Sequence, residues 1–268
     1  MTGKQLGRPN GVHGILVACM PKSGSTYLSS LIAALPGFQR KHGVPSYERR
    51  EQELDEAKIA DAFTETVTLR KAFAAGLLVS QDRPRGFVMQ HHVRHSKETE
   101  RLIEQFELVP VVLVRSLFDI VVSLSDHLMR DASEGGGVFM SMAYADERVR
   151  EWAPEQRSAF IVDLAIPWFV NFYVGWHRRP NTLFVSYDEL TADPADVLRR
   201  VLEAGHISRN REMYQSAIET VAGGFTRRNV GVGGRGADLP EELKERVRHC
   251  CTYYEDVDFG PIGISSHG

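Results

Sequence analysis

The chain has 268 residues, 43% hydrophobic and 25% charged, with a formal net charge of -3. That length and mix suit one soluble domain, residues 1–268, with a sizeable core. The charge excludes wholesale binding of polyanions, nucleic acid included, so any affinity for phosphate has to come from a local site.

Cys19, Cys250 and Cys251 cannot make a disulfide framework, which fits a reducing, cytoplasmic setting. The first fourteen residues are polar, and the apolar run at 15–20 is too short for a signal-peptide core or a membrane span. In chain order, a strand is expected at 15–19, then a helix from Ser25 to Leu35 that Pro36-Gly37 ends. Residues 38–80 are mostly charged, with helical spacing at 51–63. A second strand at 86–92 leads into a helix at 96–106, with Ser96 as N-cap and Glu98 and Glu100 in the first turn. VPVVLVR, 109–115, has the continuous apolar character of a parallel strand buried on both faces. Ser116 then caps a helix, with Asp119 as its capping-box partner. The longest apolar region, 160–176, carries Asp163, Pro167 and Asn171, and reads as a buried amphipathic helix. A fourth strand at 182–187, a helix at 194–204 ended by Gly205, and a C-terminal helix after Pro240 complete the pattern. Alternating strands and helices predict an α/β fold, a central parallel sheet with helices on both faces. Ligands of such sheets bind beyond the carboxyl ends of the strands.

The loop after the first strand, PKSGST at 21–26, has the glycine and hydroxyls that let backbone amides converge on a phosphate at a helix N-terminus. It is not an ATP-binding P-loop, G-x-x-x-x-G-K-[ST], because Lys22 precedes Gly24. A P-loop NTPase also needs an acid at a strand end to help hold Mg²⁺, whereas the third strand ends in Arg115.

PKSGSTYL (21–28) resembles the 5′-phosphosulfate loop of the sulfotransferases that use 3′-phosphoadenosine 5′-phosphosulfate (PAPS). RSLFDIVVS (115–123) resembles that family's 3′-phosphate motif, LFVSYDELTADP (183–194) its strand ending in Tyr-Glu-Asp-Leu, and FTRRNVGVGG (225–234) its C-terminal Arg-Lys-Gly loop. The resemblance implies the P-loop-NTPase-like sulfotransferase fold, PAPS as donor, 3′,5′-adenosine bisphosphate (PAP) as product, and no metal. It implies that Ser23, Gly24, Ser25 and Thr26 hold the 5′-phosphate side of the donor, and that Lys22 reaches the bridging oxygen where charge builds as the S–O bond breaks. Arg115 and Ser123 then grip the 3′-phosphate, and Arg227 and Arg228 close over it. Tyr27 stands at the family's adenine-stacking tryptophan, Tyr187 at its motif tyrosine, and Asn229 replaces a glycine.

For the base, the likeness aligns His92 with the family's catalytic histidine, and Gln90 replaces its lysine. A neutral imidazole is well matched to deprotonating a hydroxyl near neutral pH. His91 and the glutamates of 48–65 are the alternatives. The reaction implied is in-line transfer of a sulfuryl group to a hydroxyl of a small-molecule, carbohydrate or lipid acceptor, with amines left open. A nucleotide or metabolite kinase, and a catalytically silent nucleotide-binding protein, are the competing readings. Tyr47, Phe63, Phe139, Tyr144 and Trp152 are candidates to line the acceptor pocket. No motif encodes the oligomeric state, homodimer included.

Overall fold

The computed structural model describes residues 11–44, 53–78, 82–133, 138–139, 143–145, 147–207, 211–223 and 233–265. The first apolar run is β1 (His13–Cys19), buried at six of its seven positions. It feeds α1 (Ser25–Ala33), β2 (Phe38–Lys41) and α2 (Glu56–Ala74). The last begins at Glu56, later than the helical spacing alone predicts, because the Asp55 carboxylate accepts the Lys58 backbone N–H at 3.0 Å and caps it. Then come β3 (Gly86–His91), α3 (Lys97–Phe106), β4 (Val109–Val114) and α4 (Leu117–Ser133). Ser96 caps α3 as expected, accepting the Thr99 N–H at 3.0 Å. A short antiparallel pair, β5 (Val138–Phe139) and β6 (Tyr144–Ala145), precedes α5 (Pro154–Leu164) and α6 (Ile166–His177).

Where the sequence predicts one helix over 160–176, the chain makes these two, meeting at Ala165. Pro167 explains the break, since it has no N–H to continue a helix and fits only a first turn. The span Pro154–His177 is apolar enough to cross a membrane by length and composition, yet α6 puts Phe169, Phe172, Tyr173 and Trp176 into the core. The Trp176 indole N–H is satisfied there by the Val93 carbonyl at 3.0 Å.

The last strand is β7 (Leu183–Ser186), followed by α7 (Tyr187–Ala192), α8 (Pro194–Ala204), α9 (Arg211–Ala222) and α10 (Glu241–Cys251). Five strands form one parallel sheet in the order β2-β3-β1-β4-β7. The chain winds out to β2, returns to β3, then crosses β1 to reach β4, so β1 lies where the winding reverses. Both faces are covered. Ile15, Val17 and Cys19 of β1 face a core shared with α1, α8 and α9, while Leu16 and Ala18 face one shared with α2–α6 and α10. This two-sided burial is why β1 and β4 read as unbroken apolar runs.

Candidate active site

The carboxyl ends of β1, β3, β4 and β7 lie side by side, and the residues that follow them build the site. After β1, the Met20 N–H donates to the Leu113 carbonyl of β4 at 3.0 Å, and buried Ser23 donates its hydroxyl to the Met20 carbonyl at 2.6 Å. In the same loop the backbone takes left-handed conformations at Lys22 (φ 68°) and Gly24 (φ 84°). A turn of this kind gathers successive N–H groups into a concavity suited to an anion. Gly24 caps α1 with no side-chain hydrogen bond, which leaves the first amides of the helix facing the same concavity. A side chain at Gly24 would stand 3.1 Å from the Tyr187 ring, so glycine is required there by conformation and by space.

Gln90 fastens this loop to β3. Its amide Nε2 donates to the Ser25 hydroxyl at 3.0 Å, and its Oε1 accepts from Ser29 at 3.4 Å. Thr26 is half-buried, and its carbonyl accepts the Ser30 hydroxyl at 2.7 Å. Tyr27 is half-buried against the core beneath α1.

Arg115, immediately after β4, is 6% exposed. Its Nη1 donates to the Lys22 carbonyl at 3.1 Å, its Nη2 lies 3.3 Å from Asp119 Oδ2, and its guanidinium sits 4.1 Å over the Tyr187 ring. Asp119 is not spent as a capping-box partner of Ser116. Its buried carboxylate accepts the Gly234 N–H at 2.9 Å and the Gly236 N–H at 2.8 Å as well as pairing with Arg115. Ser123, two turns along α4, is buried rather than a surface serine. Tyr187 opens α7 rather than closing the strand, and the Ser186–Glu189 capping box fixes that helix start.

The two histidines differ sharply. His91 Nε2 accepts the Gly43 backbone N–H at 2.8 Å, and burial, reinforced by His42 and His92, pulls its pKa down to about 4. His92 Nδ1 lies 2.9 Å from the Cys19 carbonyl, which accepts only if Nδ1 carries the proton, so the basic lone pair belongs to Nε2. The Cys19 thiol, 3.3 Å from that nitrogen, is pushed up to about 12 by burial, against the lowering effect of Ser25 and Gln90, and stays protonated.

The half-buried, neutral His91 carries a pH signature. Its folded pKa lies below its ordinary value of about 6.5, so the unfolded chain binds the extra proton first. The stability it contributes is complete above pH 6.5 and falls as the pH drops toward 4, by roughly 3 kcal/mol at about 1.4 kcal/mol per unit. Urea midpoints measured across that window should fall steeply for the native chain and less steeply for His91→Gln, whose amide oxygen can still accept from Gly43.

The structure thus brings together Lys22, Ser23, Gly24, Ser25, Thr26, Arg115, Tyr187 and His92 around the ends of four adjacent strands. Arg227, Arg228 and Asn229 lie outside the described residues, as does Tyr47. Phe63 is not a pocket residue: it is 4% exposed and packs edge-on against Phe87 and stacks on Phe106 inside the core. Trp152 packs against Phe160 beside the α4–α5 core. Sequence reasoning missed Asp119 as a tether and Gln90 as a brace. Among the described residues no group of three His, Cys, Asp or Glu side chains is placed to hold a metal ion.

No family model and no curated relative matches the sequence. Solved structures match along nearly the whole chain. Mouse sulfotransferase SULT7A1 complexed with PAP superposes with a TM-score of 0.59 at 16% identity, covering 93% of this chain and 86% of that one. A retinol dehydratase in complex with androsterone and inactive cofactor PAP gives 0.52 at 15% identity, covering 91% and 81%. Sulfotransferase STF9 from Mycobacterium avium gives 0.52 at 14% identity, covering 92% and 78%. The chain has the sulfotransferase fold.

Proposed function

We propose that this chain is a sulfotransferase that moves the sulfuryl group of PAPS onto a hydroxyl of a small-molecule, carbohydrate or lipid acceptor and releases PAP. The observation that carries the reading is the 3.1 Å hydrogen bond from Arg115 to the Lys22 carbonyl. It joins two motifs 93 residues apart, so that one nucleotide can meet both. PAP is present in the mouse and retinol dehydratase structures, and androsterone, a small alcohol, in the second.

In this mechanism the amides of Gly24–Thr26 and the hydroxyls of Ser25 and Thr26 hold the 5′-phosphate side of PAPS, while buried Ser23, whose N–H and hydroxyl both donate to the Met20 carbonyl, shapes the loop around it. Arg115 and Ser123 hold the 3′-phosphate, with Arg227 and Arg228 closing over it. Tyr27 and Tyr187 attend the adenine. His92 Nε2 takes the acceptor's proton as the acceptor oxygen bonds to sulfur. The bond from sulfur to the bridging oxygen breaks, its electron pair leaves with PAP, and Lys22 stabilises the charge that gathers there. No metal and no covalent enzyme intermediate takes part. The kinase reading needs an acid to help hold Mg²⁺ at the end of β4, where this chain has Arg115. The three cysteines are unpaired, which accords with a reducing cytoplasm.

Thermal unfolding with PAP, AMP, or ATP plus Mg²⁺ tests the proposal. A ligand at 100 times its Kd stabilises by about 2.7 kcal/mol, so PAP should raise Tm by several degrees and the other two by much less. A preference for ATP plus Mg²⁺ would overturn the reading.

Lys22 supplies a second test, because its left-handed backbone costs a non-glycine residue about 1 kcal/mol. Lys22→Gly should unfold at the same Tm or slightly higher while turnover falls about 10²–10³-fold. Turnover that survives would remove Lys22 from the chemistry.

A further inference from the structure

At the far end of the sheet, where β1 and β3 begin, a cavity of about 300 Å³ is lined by His13, Arg70, Arg83, Arg85 and His206, together with Gly11 and Ile207. None of these lining side chains is acidic. β1 has seven residues, so this end lies roughly 20 Å from the candidate active site.

The basic groups are held by backbone geometry. The Arg85 N–H donates to the Gly37 carbonyl at 2.7 Å, and the Arg85 carbonyl accepts the His13 N–H at 3.0 Å. Gly37 is backed so closely onto this segment that a Cβ there would stand 2.2 Å from the Arg83 carbonyl oxygen. Arg70 reaches in from α2 and donates Nη1 to the Gly11 carbonyl at 2.9 Å. Three arginines are therefore gathered at one cavity, two of them on backbone that is fixed in place, in a chain whose net charge is -3. Burial is the first cause that lowers the Arg70 pKa, and the charges of Arg83 and Arg85 lower it further. Arginine matches phosphate and sulfate through pairs of parallel N–H donors, and gathering several like charges favours an anion among them.

We propose that this cavity is a second oxyanion site, taking a phosphate or sulfate group at the amino-terminal end of the sheet, separate from the donor site. It stands whether or not the chain is a sulfotransferase.

Arginine-selective dicarbonyl modification of the intact chain, mapped by peptide mass spectrometry, tests it at residue level. Inorganic phosphate is titrated at constant ionic strength against chloride. At ten times its dissociation constant, phosphate should slow modification of Arg83 and Arg85 about tenfold. Exposed Arg178, paired with Asp256, should not respond. In the variant Arg83→Gln/Arg85→Gln, whose replaced side chains are exposed, phosphate should no longer protect Arg70. PAP protecting at far lower concentration than phosphate would support the site and name a nucleotide as its occupant; equal protection would support it for the inorganic anion. Protection no greater than chloride gives, or equal at Arg178, would overturn the proposal, as would protection of Arg70 that persists in the double variant.

Discussion

Replacing His92 by alanine is expected to lower turnover about 10²–10⁴-fold while PAP affinity changes little, the pattern of a lost general base. The contrast with its neighbour carries the argument. In His91 the Nε2 lone pair is already accepting the Gly43 N–H, and a pKa drawn down to about 4 makes a feeble base at neutral pH. In His92 the hydrogen bond to the Cys19 carbonyl fixes the proton on Nδ1 and orients the ring, which leaves the basic character on Nε2. His91→Ala should therefore lose stability, since it strands the Gly43 amide. Its turnover, measured while folded, should stay within about tenfold of the native chain. Measuring kcat beside the PAP dissociation constant for both variants separates the roles. An active His92→Ala beside a folded but inactive His91→Ala would reverse the assignment.

The sequence makes some elements legible and hides others for physical reasons. β1, β3 and β4 announce themselves because parallel strands covered on both faces must be apolar at nearly every position. β2, passed over within the mostly charged stretch 38–80, is a four-residue edge strand with only Phe38 buried, so it carries no such run. For α9, by contrast, the signal is present in the spacing of buried Tyr214, Ala217 and Val221 on one face. The positions of Ser23, Gly24 and Arg115 after strand ends were legible because each belongs to one loop or strand end. Asp119 was not. An acid at a helix start looks like a cap, and its backbone partners lie 115 and 117 residues further on. Gln90, braced against Ser25 from 65 residues away, was hidden in the same way.

The contacts of Asp119 bear on stability and on the nucleotide at once. Asp119→Ala should cost about 3–5 kcal/mol, because it leaves the buried Arg115 guanidinium without its carboxylate and strands the Gly234 and Gly236 amides together. In a chain of this size that corresponds to a Tm lower by roughly 10 °C or more in calorimetry. Asp119→Asn, which keeps one acceptor oxygen but turns an amide toward Arg115 or a glycine N–H, should fall between. The same substitution should reach the nucleotide, since Arg115 is set between the Lys22 carbonyl, the Tyr187 ring and Asp119. Losing one of those three restraints should weaken PAP binding at least about tenfold at temperatures where Asp119→Ala remains folded. Arg115→Ala supplies the comparison: it removes the guanidinium but leaves both glycine amides bonded to Asp119, so it should lose more affinity and less stability than Asp119→Ala. If the two variants lost stability and affinity in the same proportion, Asp119 would be acting on the site only through Arg115, and the tether to Gly234 and Gly236 would carry no weight of its own.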